Sequence, residues 1–346
     1  MKEPGKRRWW AWAVSLALAG ILLWLALRGT DWRHLWRIIA GAQPRFLAAA
    51  AALTCLSYFI RAARWRILLN AETHLRLAPV FWANMAGYLG NTLLPARAGE
   101  LIRSFLISSR SSLGTAYVLT TAIGERLMDA IALVLWSGVL LARVEPKPLW
   151  LSDVSRSMAL AGAAGLLVVL ALPHTECWLR LLIRRAPLPA SFRQRLEDWS
   201  SQVLLGLRAF HDFGRFAAFT LMTAGIWLLD AVATITGAEA LGLHFSFPVA
   251  MLLIAGMGLG SSLPSTPGYV GIYQFVAVSV LTPFGIDQDA ALAYIFVAQA
   301  LGAGITLLFG FPGLCQAQAL GASGQRGAQI TMRSTSSTEI SSSRRS

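Results

Sequence analysis

The stretch PVFWANMAGYLGNTLLP, from Pro79 to Pro95, recurs as PVAMLLIAGMGLGSSLP, from Pro248 to Pro264, at a constant offset of 169 residues. Extended to Gly99 and Gly268, the alignment holds seven identities in 21 positions. Both copies are apolar half-helices that end at a proline, which removes a backbone donor and interrupts the helix. Interrupted apolar segments at matching places in two halves of a membrane chain point to a ligand site at the interface of the halves.

The surrounding composition supports a bilayer setting. Hydrophobic residues make up 55% of the chain and charged residues 14%, well under the share of a soluble domain. Runs of about the 20 apolar residues needed to cross a bilayer lie near 9–28, 45–60, 127–143, 158–172, 216–237 and 289–312. The expected fold class is therefore an all-α polytopic membrane protein. It has about six spanning helices and two broken or re-entrant hairpins.

The net charge of +13 does not form one basic face, so a nucleic-acid partner is not expected. Orientation accounts for the charge better, because basic residues accumulate on the cytoplasmic side of spans. With the N-terminus inside, Lys2, Lys6, Arg7 and Arg8 are cytoplasmic, and so are Arg61, Arg64, Arg66 and Arg76 after the second span. The segment 174–215 and the C-terminus fall on the same side. Arg33, Arg37 and Arg45 run against the rule, and DWRHLWRIIAGAQPR reads as an interfacial amphipathic helix with Trp32, Leu35, Trp36 and Ile39 toward lipid. Under this topology the hairpin at 79–126 enters from the cytoplasmic face and the one at 248–283 from the other. The duplication is then an inverted repeat, with halves 9–143 and 158–312. The whole of 1–318 is one membrane domain, 174–215 is a basic insertion on headgroups or a docking surface for a membrane enzyme, and 319–346 is a disordered cytoplasmic tail.

Ionisable residues within spans carry functional weight by default, because each costs at least about 2.5 kcal/mol at the bilayer centre. Arg97, Glu100 and Arg103 recur at three-residue steps, and Glu125 and Asp129 lie one turn apart beside Arg126. One reading has these charges neutralise each other and pin the hairpin. The other has the arginines hold a phosphate near the broken-helix terminus while Glu100, Glu125 and Asp129 set their geometry. Arg97, Arg103, Arg126 and Asn91 are the expected phosphate ligands, and Asn91 would otherwise bond backbone freed at Pro95. Asp230, alone in GIWLLDAVATITG, is either a coupling group or an interhelical hydrogen-bonding partner. The second break, LPSTPGYVGIYQF, offers Pro264, Pro267, Gly268 and Gln274 without a charge, where Pro95 and Gly99 mark the first. Cys55, Cys177 and Cys315 have no metal-ligand spacing. No Walker loop, GxSxG, HExxH or CxxC occurs, so neither an enzyme, a metal nor a cofactor is expected.

Taken together, RAARWRILL, NTLLPARAGELIRSFLI, GERLMD and LPSTPGYVGIYQF resemble the flippase-like integral membrane proteins related to the transmembrane half of lysylphosphatidylglycerol synthase. The resemblance runs from Trp9 to Pro312. It implies a module of the inner membrane that translocates or binds an anionic lipid, a phospholipid or a polyprenyl-phosphate-linked one. It carries functional weight onto Arg61, Arg64, Asn91, Pro95, Arg97, Gly99, Glu100, Arg103, Glu125, Arg126, Asp129, Pro264, Pro267 and Gly268. The chain departs from the family pattern at Tyr269, where many members have glycine, and at Gln274, where many have glutamate. An accessory protein that supports a glycosyltransferase or lipid-modifying enzyme is the alternative reading.

Overall fold

A computed structural model describes residues 4–94, 98–143, 190–261 and 267–342, together with isolated positions between 160 and 171. The elements are helical throughout: α1 (Pro4–Leu27), α2 (Trp32–Ala40), α3 (Pro44–Leu69), α4 (Leu77–Leu93), α5 (Gly99–Ser108) and α6 (Thr115–Arg143), then α7 (Ala190–Arg208), α8 (Phe213–Glu239), α9 (Phe247–Gly260), α10 (Ile272–Leu281) and α11 (Gln288–Ser342). A hydrocarbon core leaves unpaired backbone groups unsatisfied, and helices satisfy them within the segment. Among the described residues, three helices are long and apolar enough to cross a membrane, at Pro44–Leu69, Phe213–Glu239 and Gln288–Gln316. Large apolar side chains such as Trp24, Leu56, Phe59, Leu221, Leu228, Leu308 and Phe311 are exposed on the outside of the bundle, as lipid contact requires.

The offset of 169 carries 44–69 onto 213–238, which is α8 less its last residue, and 77–93 onto 246–262, which brackets α9. Helices α3 and α8 also pack on each other. Gly237 faces Ala50, Asp230 meets Arg61 and Thr223 meets Arg64, so partner numbers fall along α8 as they rise along α3. The two helices are antiparallel, and they cross near the pair Arg61–Asp230, whose members are themselves 169 residues apart.

Two apolar cores are the largest among the described residues. One gathers Trp65, Leu68, Val80, Leu106, Tyr117, Phe210 and Phe219, and the other Phe245, Val249, Leu253, Leu281, Tyr294 and Ile295. Each half-helix crosses to the other half of the chain, α4 packing on α11 and α9 on α6. Gly310 lies close against Leu89 and the Met85 carbonyl, which leaves no room for a Cβ, and Gly258 lies against the end of the Leu133 side chain.

Several expectations need correction. Helix α3 runs on to Leu69, nine residues past the apolar run at 45–60, and Arg64 is wholly buried rather than in a cytoplasmic loop. An arginine closing an apolar run normally marks the interface, but here carboxylates on other helices draw it inward. Leu35 turns from lipid into a pocket with Ala26, Leu292 and Ala293, while Trp32 and Trp36 stay exposed. In the basic insertion, α7 packs on α6, with Gly206 against Thr120 and Gly114 against Gln202, while 174–189 lies outside the described residues. Helix α11 carries its spanning part over Gln288–Gln316.

Candidate functional site

Charged side chains one turn apart, and so on one face, build the site from three helices. Arg61 and Arg64 come from α3, Glu100 and Arg103 from α5, and Glu125 and Asp129, with Arg126 between them, from α6. The first turn of α5 lies against α4 because Gly99 has no side chain. A Cβ there would run into the Gly87 carbonyl and the Asn91 side chain. Asn91 uses this closeness, its Oδ1 accepting from the Gly99 N–H at 2.9 Å. It therefore bonds backbone beyond the first break, one of its two expected roles. Pro95, Arg97 and Pro264 lie outside the described residues.

The charges form a closed ring of alternating sign. Arg64 donates to Asp129 at 2.6 and 2.9 Å, to Glu125 at 2.8 Å and to Thr223 at 2.8 Å. Glu125 accepts from Arg103 at 2.9 Å, and Arg103 also donates to Glu100 at 2.6 Å and to Asn84 at 2.7 Å. Glu100 accepts from Arg126 at 3.0 Å, and Arg126 returns to Asp129 at 3.8 Å. Arg61 joins from outside, 3.9 Å from Asp129 and 2.5 Å from Asp230. Aromatic faces cover the guanidinium groups: Trp65 lies 4.4 Å from Arg103, Phe219 4.7 Å from Arg64, Trp227 5.2 Å from Arg61 and Tyr88 5.5 Å from Arg126.

Four arginines and four carboxylates balance here, and exposure divides them. Arg64, Arg103 and Glu125 are at most 1% exposed, whereas Arg126 and Asp230 keep 24% and 21% of their side-chain surface. A buried charge that has partners on several sides holds helices in register but has no donor left for a ligand. Arg103 is such a group. Expected among the phosphate ligands, it has every guanidinium nitrogen turned to protein, the last toward the Ala122 carbonyl at 3.4 Å. Its three-residue spacing from Glu100 puts both on one face, but that face looks into the protein.

The outer members open on a cavity of about 700 Å³ between the two halves. Its walls include Tyr58 and Arg61 of α3, Tyr88 and Asn91 of α4, Glu100, Arg126, and Trp227 and Asp230 of α8. The far wall is the second break, with Gly268, Tyr269, Tyr273 and Gln274, and a face of α11. That break is held by amides rather than charges. Gln274 Oε1 accepts from the Gly271 N–H at 2.7 Å and its amide nitrogen meets Gln299 Oε1 at 2.5 Å, while Gln299 donates to the Gly268 carbonyl at 3.0 Å. Gly271 has φ +90 and lies against the backbone of Ala19, so no other residue fits there. Pro267 is exposed at the start of this turn.

Asp230 thus finds its partner on another helix. The aromatic wall residues Tyr58, Tyr88 and Trp227 are missed by sequence reasoning, although each precedes a polar wall residue by three, one turn away on the same face.

The chain matches the family described as the lysylphosphatidylglycerol synthase TM region over residues 12–310. It belongs to that family. This is a flippase-like integral membrane family, and membership suggests a lipid-handling membrane protein and argues against enzymatic activity. Among its relatives is Glycosyltransferase AglD of Haloferax volcanii, 24% identical over 88% of this chain, of whose length the match covers 56%. UPF0104 membrane protein PH1989 of Pyrococcus horikoshii is 24% identical, with 86% of this chain and 93% of that one covered. A UPF0104 membrane protein of Methanothermobacter thermautotrophicus is 25% identical, with 81% and 86% covered. No solved structure matches the chain.

Proposed function

We propose that this member of the family binds an anionic lipid headgroup in the cavity between its halves and moves it across the membrane by alternating access. The observation that carries the reading is the cavity itself. It lies among helices with lipid-facing exteriors, and both interrupted segments contribute to its wall. Antiparallel packing of two helices at the 169-residue offset is what an inverted repeat about an axis through Arg61 and Asp230 would give. Two such halves can exchange conformations, opening the cavity to one face and then the other. In this topology about six helices span, the termini are cytoplasmic and the membrane is the plasma membrane.

Arg126 is the phosphate ligand in the described wall. Its Nε is taken by Glu100, and the rest of the guanidinium faces the cavity with only a long contact to Asp129. Arg97, which precedes Glu100 by three residues in the sequence, is the second phosphate ligand in this reading. Arg64, Arg103, Glu125 and Asp129 hold the helices in place, and Asp230 with Arg61 is the pair that a coupling cation or proton would disturb. The test is transfer of labelled phosphatidylglycerol in proteoliposomes. Arg126→Gln and Arg97→Ala should each fold and slow transfer at least tenfold. Transfer at the wild-type rate in both would overturn the site.

A second reading has the protein support a membrane glycosyltransferase and move nothing. It is favoured by the relative AglD, named as a glycosyltransferase and nearly twice as long as its matched part. Wild-type liposomes without transfer, together with a glycosyltransferase co-purifying through the 174–215 segment, would establish it.

A further inference from the structure

The two walls of the cavity differ in kind at equivalent positions. The offset of 169 takes Glu100, which grips Arg126, onto Tyr269, and both line the cavity. Tyr269 is the one non-glycine among the described residues with a positive φ, +59. A bulky residue in that region is strained, and such outliers persist where the surroundings over-determine them. Here the turn is clamped on both sides, by Gln299 on the Gly268 carbonyl and by Gln274 on the Gly271 N–H. The strain delivers a ring. Tyr269 stacks on Tyr273 with 5.0 Å between centroids and 12° between planes, so Tyr273 braces the Tyr269 ring as an aromatic platform.

We infer that this platform is a headgroup subsite for a pyranose ring, which makes the lipid a glycosylated one with its phosphate at Arg126. The inference rests on the proposed lipid reading and narrows its substrate. Acyl chains need no such surface, since a flexible chain packs on any apolar side chain. A pyranose offers a flat C–H face to an aromatic ring and hydroxyls at its edge. The platform supplies the face, and amide-bearing Gln274 and Gln299 border it. The ends also match in charge: the phosphate meets Arg126, while the uncharged sugar meets the uncharged wall. A cavity of about 700 Å³ falls in the range that encloses small ligands, with room for both groups.

The experiment compares phosphatidylglucoside with phosphatidylglycerol of the same acyl chains, each carrying one phosphodiester charge, by native mass spectrometry of the full-length protein. Wild-type protein should hold the glucoside about tenfold more tightly, the worth of one aromatic stacking face. Tyr269→Phe should keep that ratio and Tyr269→Gly should bring it near unity. Glycine suits φ +59, so Tyr269→Gly should melt no lower than wild type, which separates a lost platform from a lost fold. Equal binding of the two lipids by wild type, or an unchanged ratio in Tyr269→Gly, overturns the subsite while leaving the lipid reading intact. Binding of neither lipid overturns both.

Discussion

Replacing Arg64 with methionine tests whether the buried charge ring is a scaffold. Arg64 is wholly buried, and its removal strands Asp129, whose next cations are Arg126 at 3.8 Å and Arg61 at 3.9 Å, beyond hydrogen-bonding reach. Glu125 loses one of two partners and keeps Arg103 at 2.9 Å. Breaking a buried pair from one side leaves an uncompensated charge, which costs about 3–5 kcal/mol. The comparison is Arg126→Gln: that side chain is 24% exposed, and Glu100 keeps Arg103 at 2.5 Å, so solvent screening limits the loss to about 1 kcal/mol. Unfolding in mixed micelles, titrated with SDS and followed by circular dichroism, measures both. Neutralising the stranded partner as well, as Arg64→Met with Asp129→Asn, should recover a large part of the loss, because three arginines then face three carboxylates. An Arg64→Met protein within about 1 kcal/mol of wild type, or one no weaker than Arg126→Gln, would refute the scaffold reasoning.

Three further outcomes follow from the geometry. At the helix crossing, a double-mutant cycle on Arg61→Gln and Asp230→Asn should return a coupling of about 1–3 kcal/mol in the same titration, since the pair is partly buried at 2.5 Å. Gly99→Ala should destabilise by about 1–3 kcal/mol and lower the melting temperature, because its Cβ has to displace α4 backbone at Gly87. Asp212 caps α8, and the Arg215 backbone N–H holds its carboxyl below the ordinary carboxylate range. A depressed folded pKa contributes stability at neutral pH that is lost as pH falls through it. Melting curves of Asp212→Asn should therefore depend less on acid than those of wild type.

How legible the molecule is in its sequence varies by element. The recurrence of PV…LP at 79 and 248 locates both half-helices and both breaks, because proline and glycine act through local backbone geometry. The cluster of Glu100, Arg103, Glu125 and Asp129 was visible for a related reason: charge within apolar sequence is expensive and must be paired. The resemblance puts Arg61 and Arg64 in the charge network, while charge distribution alone reads them as cytoplasmic charges after the second span, since their partners lie 61 to 169 residues away and pairing at that distance leaves no local mark. Arg103 shows the same limit from the other side. Spacing gives a shared face, but which way the face turns depends on how α5 packs against α4 and α6. Tyr269 stands out in the sequence only as a departure from the family's glycine; a tyrosine at positive φ contradicts its local preference, and the amide clamps around it make that conformation hold.

Lipid retained by the purified protein tests the central claim most directly. Native mass spectrometry after mild extraction should find one phosphate-bearing lipid on wild-type protein, strongly depleted in Arg126→Gln though that variant unfolds within about 1 kcal/mol of wild type. A chain that retains no anionic lipid, or retains it equally with and without the Arg126 guanidinium, would contradict the account.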